Sequence, residues 1–257
     1  MARRSDRTPG SSSVARDPVI AQLLDAVDRA VETRWSAARV RARQFEGSRD
    51  ERVEAVTAKI RRELGAAGAA SGGTAAIPGV GVGAVAASFA VELGWSTMRL
   101  ADLILTIAVI HGHDRADVDE RRLWVLSVLT YRDGAAAAVA KLAAELTGSP
   151  AERGVRQLTR RTIRQMNSTI GAGVIAKYGS RRVVAALGRA VPFGIGAVLG
   201  FGMNTRAVTM TATHAHSFFT DFPITMSSID TEAVRVERTT DSRTLPRGRR
   251  PGPATGS

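Results

Sequence analysis

The sequence predicts an all-α fold, and three observations lead there. Apolar residues recur at spacings of three and four through most of the chain, while period-two alternation is weak and only residues 233–236 hint at a strand. Capping signals open successive segments and glycines close them. Alanine and glycine are abundant and aromatics make up 5% of the chain, which suits helices packed at close range better than a β-sandwich.

In chain order, residues 1–16 are rich in Ser, Pro, Gly and Arg and are expected to form a disordered basic tail. Asp17-Pro18 supplies a cap and a first-turn proline. Ile20, Leu24, Val27, Val31 and Trp35 then share one face of a helix, which Gly47 ends. Ser48 with Glu51 forms a capping box for the next helix, with Val53, Val56, Ile60 and Leu64 on its buried face. Residues 65–74 are expected to be too small and flexible to hold a helix firmly. Pro78 opens a long apolar helix that runs past Trp95 towards His111, and Gly112 stops it. Asp117 with Glu120 is a second capping box, for a helix through Leu123, Trp124, Leu126 and Leu129. A short alanine-rich helix over 135–146 is closed by Gly148, and Ser149-Pro150 opens a basic helix. Further helices follow near 180–190 and 192–219, and 238–257 is a second disordered basic tail. The organisation is one helical domain, 17–237, between two tails.

The most distinctive feature is an apolar, glycine-punctuated segment that occurs twice behind a proline. One copy runs from Ile77-Pro78-Gly79 through Val85, inside a charge-free stretch over 65–91. The other runs from Val191-Pro192 and is charge-free to Thr205. Such segments let helix backbones approach closely, or let a helical hairpin contact lipid. A spanning helix needs about 20 apolar residues. Pro78 leaves only 79–91 before Glu92, and Arg99 and Asp102 follow. The two segments are thus expected to form either a close-packed core pair or a membrane-contacting hairpin.

Charge is unevenly spread. The net charge is +12, but residues 1–16 carry four arginines and one aspartate, and 238–257 carry five arginines and one aspartate. Between the tails, residues 151–190 hold nine basic residues against Glu152 alone. Arg153, Arg156, Arg160, Arg161 and Arg164 fall on roughly a 140° arc of a helix, opposite Val155, Leu158, Ile163, Met166 and Ile170. A basic amphipathic helix of this kind docks on anionic lipid, or packs apolar-side-in and presents arginines to a partner. Tyr178 is the only aromatic from 151 to 190, so no base-stacking platform supports nucleic acid as the ligand.

Catalytic signals are weak. The absence of cysteine excludes disulfides and thiolate metal sites. The polar run over 5–18 behind the first arginines argues against a secretory leader. Glu92, Arg99 and Asp102 lie near one helix line, where burial would demand pairing and exposure would not. All four histidines fall in two His-x-His pairs, His111/His113 and His214/His216, and a zinc site would need both pairs together. The run Gly81-Val82-Gly83-Ala84-Val85-Ala86, with Asp102 beyond it, imitates a dinucleotide fingerprint but follows no buried strand.

The run Ala76-Ile77-Pro78-Gly79 with its Gly/Ala helix, the turn Ile107 to His113-Asp114, Arg121-Arg122, and Val191-Pro192 to Asn204 together resemble the EcsC family over roughly residues 50–220. His111 stands where the family has tyrosine, so no role built on that hydroxyl carries over. The resemblance implies motif positions of structural kind at Pro78, Gly79, Gly112, Asp114, Pro192 and Asn204. It implies a helical, membrane-associated bacterial protein from a family named for a gene beside an ABC transporter. It carries over no active site. The expectation is a non-enzymatic cytoplasmic protein, without a cofactor, held peripherally on the inner face of the cell membrane by its arginine face and Gly-rich helices. A membrane protein such as a transporter is a candidate partner. The alternatives are a soluble adaptor for an acidic protein and a metal-dependent enzyme using the two histidine pairs.

Overall fold

The computed structural model describes residues 18–74, 82–151, 158–178 and 196–222, and among these the chain is helical with no strand. Helices α1 (Pro18–Thr33), α2 (Trp35–Ala42), α3 (Arg49–Thr74) and α4 (Val82–Ile110) form the first half. Then come α5 (Val118–Tyr131), a 3₁₀ turn at Arg132–Gly134, α6 (Ala135–Thr147), α7 (Arg160–Tyr178) and α8 (Gly196–Asp221). The tails at 1–16 and 238–257, the prolines Pro78 and Pro192 with Gly79, the 180–190 helix and the 233–236 segment lie outside the described residues.

Helix α4 is the centre of the bundle, touching α1, α2, α3, α5 and α8, while α8 lies along α3. Every residue from Ala101 to Ala108 is buried, the mark of a helix covered on all sides. The stretch Leu93–Ile110 has the length and hydropathy of a spanning helix, but 67% of it is buried within the bundle, so the core already uses its apolar character. Val53, Val56, Ile60 and Leu64 are all buried, as their spacing predicts.

The caps act where the sequence places them. Ser48 N donates to Glu51 Oε2 at 2.8 Å, and Glu51 N donates back to Ser48 Oγ at 3.4 Å. Asp117 and Glu120 close the second box at 2.8 and 2.9 Å. At the end of α4, Gly112 N donates to Val109 O and His113 N donates to Ala108 O, both at 3.0 Å. This paired arrangement requires positive φ at the residue after the cap, and Gly112 supplies φ +94°.

Three expectations are corrected. The first helix does not run unbroken to Gly47. It breaks at Arg34 and α2 ends at Ala42. Residues 65–74 do hold a helix, as the last part of α3. Each glycine there costs about 1 kcal/mol in propensity, but Gly65 and Gly68 are buried, and Asn204 Nδ2 of α8 donates to the Leu64 carbonyl at 3.1 Å. Close packing of two helices at small residues offsets the loss. Finally, the basic helix is not continuous from Pro150, because Leu158 and Thr159 are non-helical and α7 begins at Arg160.

Gly112→Ala should destabilise the chain by about 1–2 kcal/mol through backbone strain alone, since a Cβ there meets nothing within 4 Å. Gly134, at φ −85° and equally uncrowded, should instead tolerate alanine with a gain of about 0.5 kcal/mol. Urea denaturation of the two variants checks the contrast.

Candidate functional site: the arginine face of α7

Helix α7 starts because Thr159 caps it. Thr162 N donates to Thr159 Oγ1 at 3.2 Å, and Ile163 N donates to the Thr159 carbonyl at 2.9 Å. Ile163, Met166, Ile170 and Val174 are buried, at spacings of three, four and four, so the apolar side of the helix is committed to the core. Arg160, Arg161 and Arg164 are exposed on the other side. The predicted arc therefore keeps these three members. Arg153 and Arg156 lie outside the described residues, and the break at Leu158–Thr159 removes the continuous helix that was to place all five on one face.

The arginines face the first turn of α5, a relation no local pattern announces. Arg160 Nε lies 3.3 Å from Asp117 Oδ2, and an Arg164 guanidinium nitrogen lies 3.8 Å from Asp119 Oδ2. Their side chains are 65% and 64% exposed, so each pair contributes about 0–1 kcal/mol. Asn167, itself buried, donates from Nδ2 to the Asp119 carbonyl at 2.9 Å and fixes α7 on α5. Helix α5 is held to α1 in turn. Arg121 donates to the Val31 carbonyl at 2.7 Å and covers the Trp35 ring at 5.0 Å, while Arg122 pairs with Asp28 at 2.9 Å. Burial lowers the Arg121 pKa and raises that of Asp28.

The charges predicted on α4 are a structural cluster. Asp102 is fully buried, with Arg41 at 2.6 Å on one oxygen and Arg99 at 2.5 Å on the other. Arg99 also pairs with Glu63, and Arg41 donates to Thr106 Oγ1 at 3.3 Å. Burial pulls the Arg99 pKa below the ordinary guanidinium value, against the opposing pull of Asp102. Glu92 belongs to α4, but its side chain lies outside the described residues. Arg41 and Glu63 were invisible to sequence reasoning, because Arg41 is 61 residues from the carboxylate it meets.

The histidines meet only in part. His111 Nε2 and His216 Nδ1 are 3.2 Å apart, and His216 Nε2 lies 3.6 Å from Asp50. His113 turns away into the core, its ring 5.4 Å from Trp124 and 5.3 Å from Phe219. Its Nδ1 is buried without a hydrogen-bond partner among the described residues, as is His214 Nε2. Asp114 is half-buried in the turn and does not join a donor set. Among the described residues no three potential metal donors converge, which corrects the four-histidine zinc site. An open groove of about 310 Å³ runs between α3 and α8, with Asp50, Glu54, Arg61, Thr209, Thr213 and His216 among its walls. The threonine hydroxyls of its walls donate to carbonyls of their own helices, Thr57 to Val53, Thr209 to Thr205 and Thr213 to Thr209.

Comparisons with protein-family models, curated proteins and solved structures each find no match to the chain.

The histidines give the fold a pH dependence of definite sign. Burial, then Arg49, depress His111 from 6.5 to about 4, and the same two causes lower His113. His111 stays neutral in the folded chain over this range while the unfolded chain binds protons, so its contribution is complete above pH 6.5 and is lost as pH falls from 6.5 towards 4, and the lowered His113 pKa acts with the same sign. Allowing for the partial exposure of His111, the chain should lose about 1–2 kcal/mol between pH 7.5 and 5. His111→Asn should flatten that slope in urea titrations.

Proposed function

We propose that this chain is a non-enzymatic helical protein, similar to the EcsC family, that is held at the inner face of a bacterial cell membrane by electrostatic contact with anionic headgroups. The observation that carries the reading is the orientation of α7: Arg160, Arg161 and Arg164 are exposed while its apolar residues are buried. An arginine near an anionic membrane contributes about 1 kcal/mol, and salt screens it within a Debye length of about 10 Å. Arginine suits phosphodiester oxygens because its planar fork donates two parallel hydrogen bonds.

This refines the expected mode of contact. With Ile163, Met166, Ile170 and Val174 inside the core, α7 offers lipid only its charged side. Binding through α7 is therefore superficial and salt-sensitive, unlike the insertion of a free amphipathic helix. The same exposed arginines suit an acidic protein surface, and a transporter at the membrane is a partner of that kind.

In vesicle flotation, the full chain should bind phosphatidylglycerol-containing vesicles at low salt, release at high salt and ignore neutral vesicles. Replacing Arg160, Arg161 and Arg164 with glutamine should weaken partitioning by roughly a hundredfold, at about 1 kcal/mol per arginine. Undiminished binding by this variant, with helical content intact, contradicts the reading. Indifference of the native chain to both vesicle types would transfer the arginine face to an acidic protein partner.

A further inference from the structure

We propose that Asp119 is a built-in competitor for the arginine face, so that an external phosphodiester binds α7 by exchanging with the Asp119 carboxylate on Arg164. The proposal rests on the reading of α7 as an anion-binding surface.

The two carboxylates that face the arginines are not equivalent. Asp117 is tied to the fold, because its Oδ1 accepts from Glu120 N at 2.9 Å and caps α5 while Oδ2 faces Arg160. Its movement would uncap the helix. The Asp119 carboxylate has no partner among the described residues besides Arg164, and the 3.8 Å separation is longer than a hydrogen bond. Both side chains of that pair remain open to solvent, at 64% and 26% exposure, so separating them uncovers no buried charge.

The carboxylate nevertheless stays close. Asn167 donates to the backbone carbonyl of Asp119 itself, so α5 and α7 keep their register whether or not the ion pair is made. A tethered carboxylate acts at high effective concentration. A lone soluble phosphate therefore competes poorly, whereas a surface carrying many phosphodiesters engages Arg160, Arg161 and Arg164 together. Arg161, which has no ion-pair partner among the described residues, is free to make the first contact. Asp119 thus sets a threshold that favours densely anionic surfaces over dilute anions.

Full-length variants test this by flotation on mixed phosphatidylglycerol and phosphatidylcholine vesicles at low salt, with helical content checked by circular dichroism. Asp119→Asn should tighten binding about fivefold, equivalent to roughly one surface charge. Glu46→Gln, an equal charge change at an exposed site between α2 and α3, neither of which is among the helices packed on α7, should give a clearly smaller gain. In an Arg164→Gln background the Asp119→Asn gain should fall to that of Glu46→Gln. Inorganic phosphate should displace the Asp119→Asn chain from vesicles at lower concentration relative to its affinity than it displaces the native chain. Equal gains from Asp119→Asn and Glu46→Gln, or a full gain without Arg164, would overturn the proposal while leaving the arginine face intact. If Arg164→Gln and the triple arginine variant both bind like the native chain, the underlying reading fails instead.

Discussion

A fully buried carboxylate at the centre of the bundle is the constraint on which the other helices depend. Asp102 sits in the part of α4 where every residue from Ala101 to Ala108 is buried. Leaving such a charge unpaired costs several kcal/mol, so the fold must bring cations to it. Arg99 comes from the same helix and Arg41 from α2, and Arg99 continues to Glu63 on α3. Charge balance at one side chain thus fixes how α2 and α3 seat against α4. Such pairs need not add net stability relative to an apolar replacement; their consequence here is register.

The remaining helices follow outward from that frame. Arg121 and Arg122 seat α5 against α1, and Asn167 seats α7 against α5. His113, Trp124 and Phe219 close the far end of α4 through edge and tilted ring contacts. In this arrangement His111 and His113 are packing groups, and burial lowers the His111 pKa to about 4. At the surface, α7 turns its arginines outward beside two aspartates.

Much of the fold was legible because local signals and tertiary packing agree. The two capping boxes, the Gly112 stop and the Val53–Val56–Ile60–Leu64 face each appear as spacing alone predicts. The departures have physical causes. Glycines at 65 and 68 read as helix breakers because propensity counts the cost of a missing side chain and not the close approach it permits. The break before Arg160 arises from Thr159 acting as a cap, a role hidden inside a run whose apolar spacing continued through it. The arginines and the Arg99–Asp102 pair were visible as short-range patterns. Their partners Asp117, Asp119, Arg41 and Glu63 were not, since each meets its counterpart only through folding.

The central claim is that α7 meets an anionic surface with its arginines while its apolar side stays in the core. The chain has no cysteine, so Gln165→Cys, at an exposed position beside Arg164, can carry a single environment-sensitive fluorophore. On phosphatidylglycerol-containing vesicles the account predicts quenching by a headgroup-attached quencher at low salt, none by an acyl-chain quencher, and reversal at high salt. Quenching from the acyl chains that survives high salt, or no response to the vesicles at all, would contradict it.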